Sequence, residues 1–298
     1  MNKPEAEAFH PSVEKPRDFE EFWKETLGEL ARLPLAPELE LLPLRCTDFS
    51  TVYGVKLTSI GPYRIFAYYS VPHGDGPFPV VYHLPGYGSV VHVPPYEERK
   101  ESIALSLCAR GQRLSDQPFA ASYPGLLTTG IDEKSTYIYH GIIADCCRAV
   151  DFLLERPEVD KSRIAVTGND LTLITAALRP QIGAVIVTDL IFYALRDLVP
   201  QTDLYPLEEI NDYLRFYPEK QEVVYQTLAY FDPLFFAPHV EAPTLVVCQG
   251  EGSRFSPTTS KPLMDALSAK GELRLHTGFG HTEHLYQEEW LKKRWANP

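Results

Sequence analysis

The N-terminal part of the chain carries a helical pattern, in which apolar residues recur every three or four positions between charged ones. The pattern runs from Pro16 to Leu33, and Pro34 and Pro37 end it because proline has no backbone N–H to continue a helix. Its apolar positions are Phe19, Phe22, Trp23, Leu27 and Leu30. The pattern predicts an N-terminal helix packed on the outside of the domain.

Three stretches that follow this helix alternate apolar and polar residues, which is the period of a strand with one buried face. Gly61-Pro62 separates the last two and is typical of a turn. The stretches are Leu39–Cys46, Thr51–Ile60 and Arg64–Val71. The pattern predicts antiparallel strands.

The rest of the chain alternates short apolar runs with helical patterns. The predicted strands are Pro79–Leu84, Ser102–Ala109, Arg163–Thr167, Ile182–Thr188, Thr244–Cys248 and Glu272–His276. The predicted helices are Tyr139–Glu155, Leu171–Leu178, Pro257–Ala269 and about Glu283–Trp295. This alternation is typical of βαβ units, so it predicts an α/β fold with a mostly parallel central sheet and helices on both faces.

The chain of 298 residues is interpreted as a single domain (1–298) with one insertion, at about 190–237. This segment is irregular, rich in aromatic residues and placed between two predicted strands. Long excursions inside a compact domain are usually functional, which favours a lid over the active site. The alternative is an ordinary helical connection that packs on the core.

The formal net charge is −12, which repels phosphate backbones and excludes nucleic acid as a partner. No apolar run reaches 18 residues and the N-terminus has no apolar leader, so we expect no membrane span and a cytoplasmic protein. The five cysteines have no metal-site spacing and are expected to be reduced thiols, mostly buried. No cofactor motif is present, so no cofactor is expected.

The best candidate for chemistry is the turn Gly168-Asn169-Asp170-Leu171-Thr172, between a predicted strand and an apolar helix. This is the setting of a nucleophile elbow, in which a strained residue presents its side chain above the sheet. Gly168 is the small residue that such a sharp turn requires, whereas Thr172 is not small. The sequence therefore predicts that Asp170 occupies the position of a nucleophile.

Motifs spread along the chain add to this prediction. They are Gly86-Tyr87-Gly88, Arg110-Gly111-Gln112, the stretch 137–168, Thr227-Leu228-Ala229-Tyr230-Phe231-Asp232 and Phe279-Gly280-His281. With these motifs the sequence resembles the acetyl xylan esterase / cephalosporin C deacetylase family of carbohydrate esterases over nearly its whole length. The resemblance implies an α/β-hydrolase fold, an oxyanion loop at Tyr87 and a ring-shaped homo-oligomer, often a hexamer, in the cytoplasm.

The chain departs from this family at the residues that carry the reaction. The family has Gly-x-Ser-Gln-Gly at the elbow, where this chain has Asp170, Leu171 and Thr172 in the last three places. The family's catalytic aspartate corresponds to Ser253, whereas its histidine is kept as His281. A serine-esterase mechanism is therefore not expected.

A replacement mechanism can be written with the residues present. Haloalkane dehalogenases use an aspartate nucleophile, and some carry the histidine-orienting acid after the strand that Asp189 follows here. In that scheme Asp170 attacks a small ester, lactone, halide or epoxide, and His281, oriented by Asp189, activates water on the resulting ester. The backbone N–H groups of Tyr87 and Leu171 would form the oxyanion hole.

Two other interpretations stay open. In the first, Asp170 or His281 acts as a base on water in a residual esterase. In the second, the chain is an inactive homologue, a pseudoenzyme with a binding or structural role. His281-x-x-His284 resembles a metal pair but has no carboxylate partners at ligand spacing, so no metal is expected.

Overall fold

The amphipathic pattern near the N-terminus folds as helix α1, Phe19–Arg32, which confirms the first prediction. The computed structural model describes residues 8–250, 253–268, 271–276, 278 and 280–296. Helix α1 buries Phe22, Trp23 and Leu30 against the domain, and the Trp23 indole Nε1 donates a hydrogen bond of 3.1 Å to the carbonyl of Tyr230. The helix therefore joins the N-terminal part of the chain to the 190–237 segment.

The described residues form one nine-stranded sheet, with the strand order β1-β2-β3-β5-β4-β6-β7-β8-β9. The strands are β1 Glu38–Leu41, β2 Ser50–Ser59, β3 Tyr63–Pro72, β4 Phe78–His83, β5 Ile103–Cys108, β6 Val159–Gly168, β7 Ala184–Val187, β8 Thr244–Cys248 and β9 Gly271–Leu275. The first three strands are antiparallel, as the alternating patterns predicted, and β5-β4-β6-β7-β8-β9 run parallel. The predicted α/β class with a mostly parallel sheet is confirmed.

The four helices predicted after α1 are present close to their predicted bounds, and three further helices of the described residues, in the 190–237 segment, were not individually predicted. Together they are α2 Ile138–Glu155, α3 Leu171–Leu178, α4 Leu195–Leu198, α5 Glu208–Phe216, α6 Gln221–Ala229, α7 Pro257–Ala266 and α8 Gly280–Trp295. The helices α4, α5 and α6 lie in the 190–237 segment, between β7 and β8. None of the helices among the described residues is long and apolar enough to cross a membrane.

The sheet is covered on two faces, because successive residues of a strand point to opposite sides. Tyr82 of β4 belongs to the larger core cluster, which contains residues of α2 and α3. Its neighbour Val81 belongs to a smaller cluster with Ile186 of β7 and Trp290 of α8. Helices α3 and α8 thus pack on opposite faces of the sheet.

The connection between the parallel strands β4 and β5 is unusual for such a sheet. Parallel neighbours are normally joined by a crossover that contains an α-helix. Here all the connecting residues are described, and they form no α-helix but only one 3₁₀ turn, Glu98–Lys100. The sheet face beside α8 is therefore less completely covered than the opposite face.

The Arg-Gly-Gln motif begins with a buried ion pair. The Arg110 guanidinium lies 2.6 Å from the carboxylate of Asp145, which is fully buried on α2. A Cβ on Gly141, one turn earlier on α2, would lie 2.3 Å from the same guanidinium, so only glycine fits there. Two motifs that are distant in sequence are thus explained by a single contact between β5 and α2.

The cysteines are thiols in the structure. Cys108, Cys146, Cys147 and Cys248 are buried, and Cys46 is partly exposed. This agrees with the prediction of mostly buried thiols.

Candidate active site

The predicted site residues lie at the carboxyl ends of the parallel strands, where ligands bind in open α/β sheets. The Gly86-Tyr87-Gly88 loop follows β4, Asp170 follows β6, and Asp189 follows β7. Ser253 follows β8, and His281 lies in the first turn of α8 after β9. The topology thus brings all the predicted residues to one edge of the sheet.

The backbone at Asp170 is regular, and the prediction of a strained elbow residue is wrong. Asp170 has φ −60° and ψ −16°, within the right-handed helical region, and directly precedes α3. The positive φ of the turn, +147°, falls on Gly168 instead. Asn169 explains the difference, because its side-chain Oδ1 accepts the N–H of Leu171 at 3.0 Å and starts the helix as a cap.

The carboxylate of Asp170 points into the protein and has no exposed surface. Its Oδ2 accepts hydrogen bonds from the backbone N–H groups of Ile191, at 2.9 Å, and of Phe192. Its Oδ1 is buried and has no hydrogen-bond partner among the described residues. Asp170 therefore ties the end of β6 to the beginning of the 190–237 segment.

Asp232 is a second buried carboxylate that binds the same stretch of backbone. It accepts the N–H of Ala194 at 2.8 Å and the N–H of Leu234 at 2.9 Å. Burial raises the pKa of Asp232 to about 7, against the opposing effect of these two N–H groups. Ala194 has φ +48°, an uncommon conformation for a residue other than glycine, and this anchored carboxylate holds it there.

The pKa of Asp170 is raised in the same way. Burial raises it to about 7, the Phe192 N–H opposes the rise, and the negative charge of Asp189 adds to it. A neutral carboxyl group is more easily accommodated in this position than an ionised one, which also fits the unpartnered Oδ1.

The structure does not join Asp170 to His281. Oδ2 of Asp170 is bound to the backbone N–H groups and Oδ1 has no partner within the part of the chain that the structure describes, so neither makes a hydrogen bond with the His281 imidazole. His281 is exposed on α8. The preceding Phe279, part of the same motif, lies outside the described residues.

Asp189 and Ser253 both line an open cleft of about 760 Å³, which is also lined by Tyr205 of the 190–237 segment. The carboxylate of Asp189 accepts the N–H of Leu190 at 2.8 Å and lies 3.6 Å from the Arg254 guanidinium. The hydroxyl of Ser253 donates to the carbonyl of Gly250 at 2.8 Å. This cleft brings two of the predicted site residues together with the 190–237 segment.

The two residues predicted to form the oxyanion hole, Leu171 and Tyr87, make different hydrogen bonds. The N–H of Leu171 is already bound to Asn169. The side chain of Tyr87 donates to Glu209 of α5, and the other oxygen of Glu209 accepts the N–H of Leu127 at 2.8 Å. Helix α5 is thereby fastened to the loop that would receive a substrate carbonyl.

Comparison with known proteins now decides the family. Residues 1–297 match the family model described as acetyl xylan esterase (AXE1). The chain belongs to the acetyl xylan esterase family. This confirms the resemblance seen in the motifs.

The relatives cover almost the whole chain. The acetyl esterase Axe7A of Xylanibacter ruminicola is 27% identical over 97% of this chain and 69% of its own length. The acetyl xylan esterase from Paenibacillus sp. R4 is 27% identical with a TM-score of 0.83, over 96% of this chain and 97% of that one. Acetyl xylan esterase 1 from Thermoanaerobacterium sp. JW/SL YS485 is 20% identical with a TM-score of 0.80, over 96% and 95%, and shows the same α/β-hydrolase fold.

Three residues important to the site of this acetyl xylan esterase family member were not predicted from the sequence. Gln112 binds the oxyanion loop, with its Nε2 donating to the carbonyls of Gly86 at 3.1 Å and Gly88 at 2.7 Å. The Arg-Gly-Gln motif singled out Gln112 without revealing this contact. Asn169 could have been recognised, because asparagine just before a helix is a common capping residue. Glu209 could not, because it lies in the irregular 190–237 segment, where no pattern sets it apart from the other acidic residues.

Proposed function

We propose that this member of the acetyl xylan esterase family is a ligand-binding protein that does not hydrolyse esters at its elbow. The observation that carries the proposal is the position of Asp170, whose carboxylate is fully buried and bound to the backbone N–H groups of Ile191 and Phe192. This corresponds to the pseudoenzyme interpretation of the sequence.

A nucleophile has to reach its substrate and be in its reactive form. Asp170 has no accessible surface, and burial raises its pKa to about 7, so at neutral pH much of it is protonated. The base that would complete the reaction, His281, makes no hydrogen bond to it. These three features support a structural role for Asp170.

The cleft at Asp189 supports the binding part of the proposal. It combines the exposed carboxylate of Asp189 with the guanidinium of Arg254, and Tyr205 has 54% of its surface exposed at the rim. Carboxylate and guanidinium groups bind hydroxyls, and an exposed aromatic ring provides a stacking surface. Since the named relatives are acetyl xylan esterases, we propose a xylan-type oligosaccharide as the ligand.

The proposed absence of ester hydrolysis is tested with p-nitrophenyl acetate and acetylated xylo-oligosaccharide as substrates. We expect the wild type, His281→Ala and Asp170→Asn to release acetate at the same background rate. A wild-type rate above background that is lost in His281→Ala would overturn the proposal.

The binding half is tested by calorimetric titration with unmodified xylo-oligosaccharides. We expect saturable binding that weakens at least tenfold in Asp189→Asn. The matched control is Asp265→Asn, since Asp265 is an exposed carboxylate of α7 that pairs with Lys261 outside the cleft. Equal loss in both variants, or no binding by the wild type, would contradict the assignment of the cleft.

A second candidate is the hydrolase with Asp170 as nucleophile, and the unpartnered Oδ1 of Asp170 is the observation that favours it. This oxygen would form a bond to the substrate carbon as the leaving group departs with the bonding electrons. Water activated by His281, with Asp189 orienting the imidazole, would then add to the Asp170 carboxyl carbon and release the product. The 191–192 backbone would have to move for a substrate to enter.

One experiment separates the two candidates. A single turnover of an alkyl halide or epoxide in heavy-oxygen water leaves the label in the Asp170 carboxylate if Asp170 is the nucleophile, because water then adds to the carboxyl carbon of the alkyl ester. We expect no label in the peptide that contains Asp170. Labelled Asp170 would establish the second candidate.

A further inference from the structure

A separate cavity of about 260 Å³ lies between the sheet and α8, on the face opposite α3. Its floor is apolar, with Val81 of β4, Ile186 of β7 and Leu291 of α8. It exists because the connection from β4 to β5 contains no α-helix, which leaves part of this face uncovered. The cavity shares no lining residue with the cleft at Asp189.

Two imidazole–carboxylate pairs stand in the walls of this cavity. His83 Nε2 lies 2.6 Å from the Glu98 carboxylate, whose side chain is only 11% exposed. On the opposite wall, His284 Nε2 lies 3.2 Å from the carboxylate of Glu288. Each imidazole holds one oxygen of its carboxylate in place.

The walls carry an excess of negative charge. Four carboxylates line the cavity, from Glu97, Glu98, Glu101 and Glu288, against the single ammonium group of Lys292. Lys292 lies 3.7 Å from Glu101 and Lys100 lies 2.6 Å from Glu97. In the described part of the chain this leaves Glu98 and Glu288 as the two carboxylates paired with imidazoles only. A positively charged ligand would be attracted to this cavity.

The residues that line the cavity favour an organic cation over a metal ion as the ligand. Among the described residues no group of three or more histidine, cysteine, aspartate or glutamate side chains is placed to hold a metal. The apolar floor and the ring of Trp295, which also lines the cavity, instead match a hydrocarbon or aromatic body. The volume is below the range of roughly 300–1,000 Å³ typical of drug-sized ligands, so the ligand is small.

We propose that this cavity binds a small primary amine with an apolar or aromatic body. The ammonium group lies between Glu98 and Glu288, and the body rests on Val81, Ile186 and Leu291. The imidazoles of His83 and His284 orient the two carboxylates. This binding is independent of the function proposed for the cleft at Asp189.

The experiment is a calorimetric titration of the full chain with benzylamine at neutral pH and low salt, alongside benzyl alcohol and benzoate. We expect saturable binding of benzylamine with a millimolar Kd, at least tenfold weaker binding of benzyl alcohol, and none of benzoate. Binding of benzylamine should also weaken as salt is added, since it depends on opposite charges. Equal binding of benzyl alcohol would overturn the proposal.

Two variants on the same helix form a matched pair. Glu288→Gln removes a carboxylate from the cavity, whereas Glu289→Gln removes one that lines a different depression beside Tyr286. We expect Glu288→Gln to weaken benzylamine binding at least tenfold and Glu289→Gln to leave it unchanged. Glu98→Gln should have an effect at least as large, provided its melting temperature is that of the wild type. Unchanged binding in Glu288→Gln, or an equal loss in both helix variants, would refute the site.

Discussion

Asp170 and Asp189 follow adjacent parallel strands, yet the structure uses them in opposite ways. Asp170, after β6, has no accessible surface and binds two backbone N–H groups of the 190–237 segment. Asp189, after β7, has a side chain that is 54% exposed, and it lines an open cleft beside Arg254. Both were predicted to act in one catalytic centre.

The difference shows that position at the end of a strand does not by itself determine the task of a carboxylate. A nucleophile and a structural anchor can occupy the same place in the topology. What separates them is whether the side chain faces solvent or faces backbone N–H groups that need an acceptor. At Asp170 the second situation prevails.

The largest expected effect is on stability. Asp170→Ala leaves the buried N–H groups of Ile191 and Phe192 without an acceptor, which costs about 4 kcal/mol of the free energy of unfolding. Asp189→Ala removes an exposed side chain, so we expect a change of about 0.5 kcal/mol or less. Urea denaturation of both variants at the same pH measures the two free energies.

Equal losses in these two variants would remove the distinction between an anchor and a ligand-facing residue. The slope of each unfolding transition is the control, because an unchanged slope shows that the same surface is exposed on unfolding.

The second effect is on the pH dependence of stability. Because burial raises the pKa of folded Asp170 to about 7, above an unfolded value of about 4, its contribution to stability is fully present below about pH 4. That contribution is lost as the pH rises towards 7, by about 1.4 kcal/mol per pH unit. Asp170→Asn removes this dependence, so its stability relative to the wild type should rise with pH over that range.

Asp232 provides a parallel test, since burial raises its pKa to about 7 as well. Asp232→Asn should show the same relative gain between about pH 4 and pH 7. The measurement is the free energy of unfolding in urea at several pH values. A constant difference between Asp170→Asn and the wild type at every pH would mean that the carboxyl group titrates normally in the folded protein.

The smallest effect concerns the contact between Asp189 and Arg254. The two groups are 3.6 Å apart at a partly exposed position, so we expect a coupling free energy below about 1 kcal/mol. A double-mutant cycle with Asp189→Asn and Arg254→Gln measures it by urea denaturation. A coupling above about 2 kcal/mol would show that Asp189 is also a structural anchor.

Most of the secondary structure could be predicted because its signals are local. Helix α3 has the predicted bounds, Leu171–Leu178, and strand β8 has the predicted bounds, Thr244–Cys248. An apolar run of eight residues, or a short apolar run between turns, is enough to predict the local secondary structure. The mostly parallel sheet then follows from how βαβ units connect.

The site was predicted less completely, because its contacts join segments that are distant in sequence. The acceptor that Ile191 and Phe192 need is supplied by Asp170, and no pattern around either segment reveals that they meet. Likewise the contact of Tyr87 with Glu209 depends on where α5 lies over the oxyanion loop. The strain expected at Asp170 was wrong because Asn169 caps the helix locally.

The sequence by itself determined the fold class, the family and the absence of serine at the elbow. Periodicity and motifs depend only on residues that are close together in the sequence. Only the tertiary structure shows what the side chain of the replacing aspartate contacts. Asp170 is buried because the chain beyond β7 returns over it and presents two N–H groups, and a buried carboxylate with those partners is more favourable as an anchor than as an exposed nucleophile.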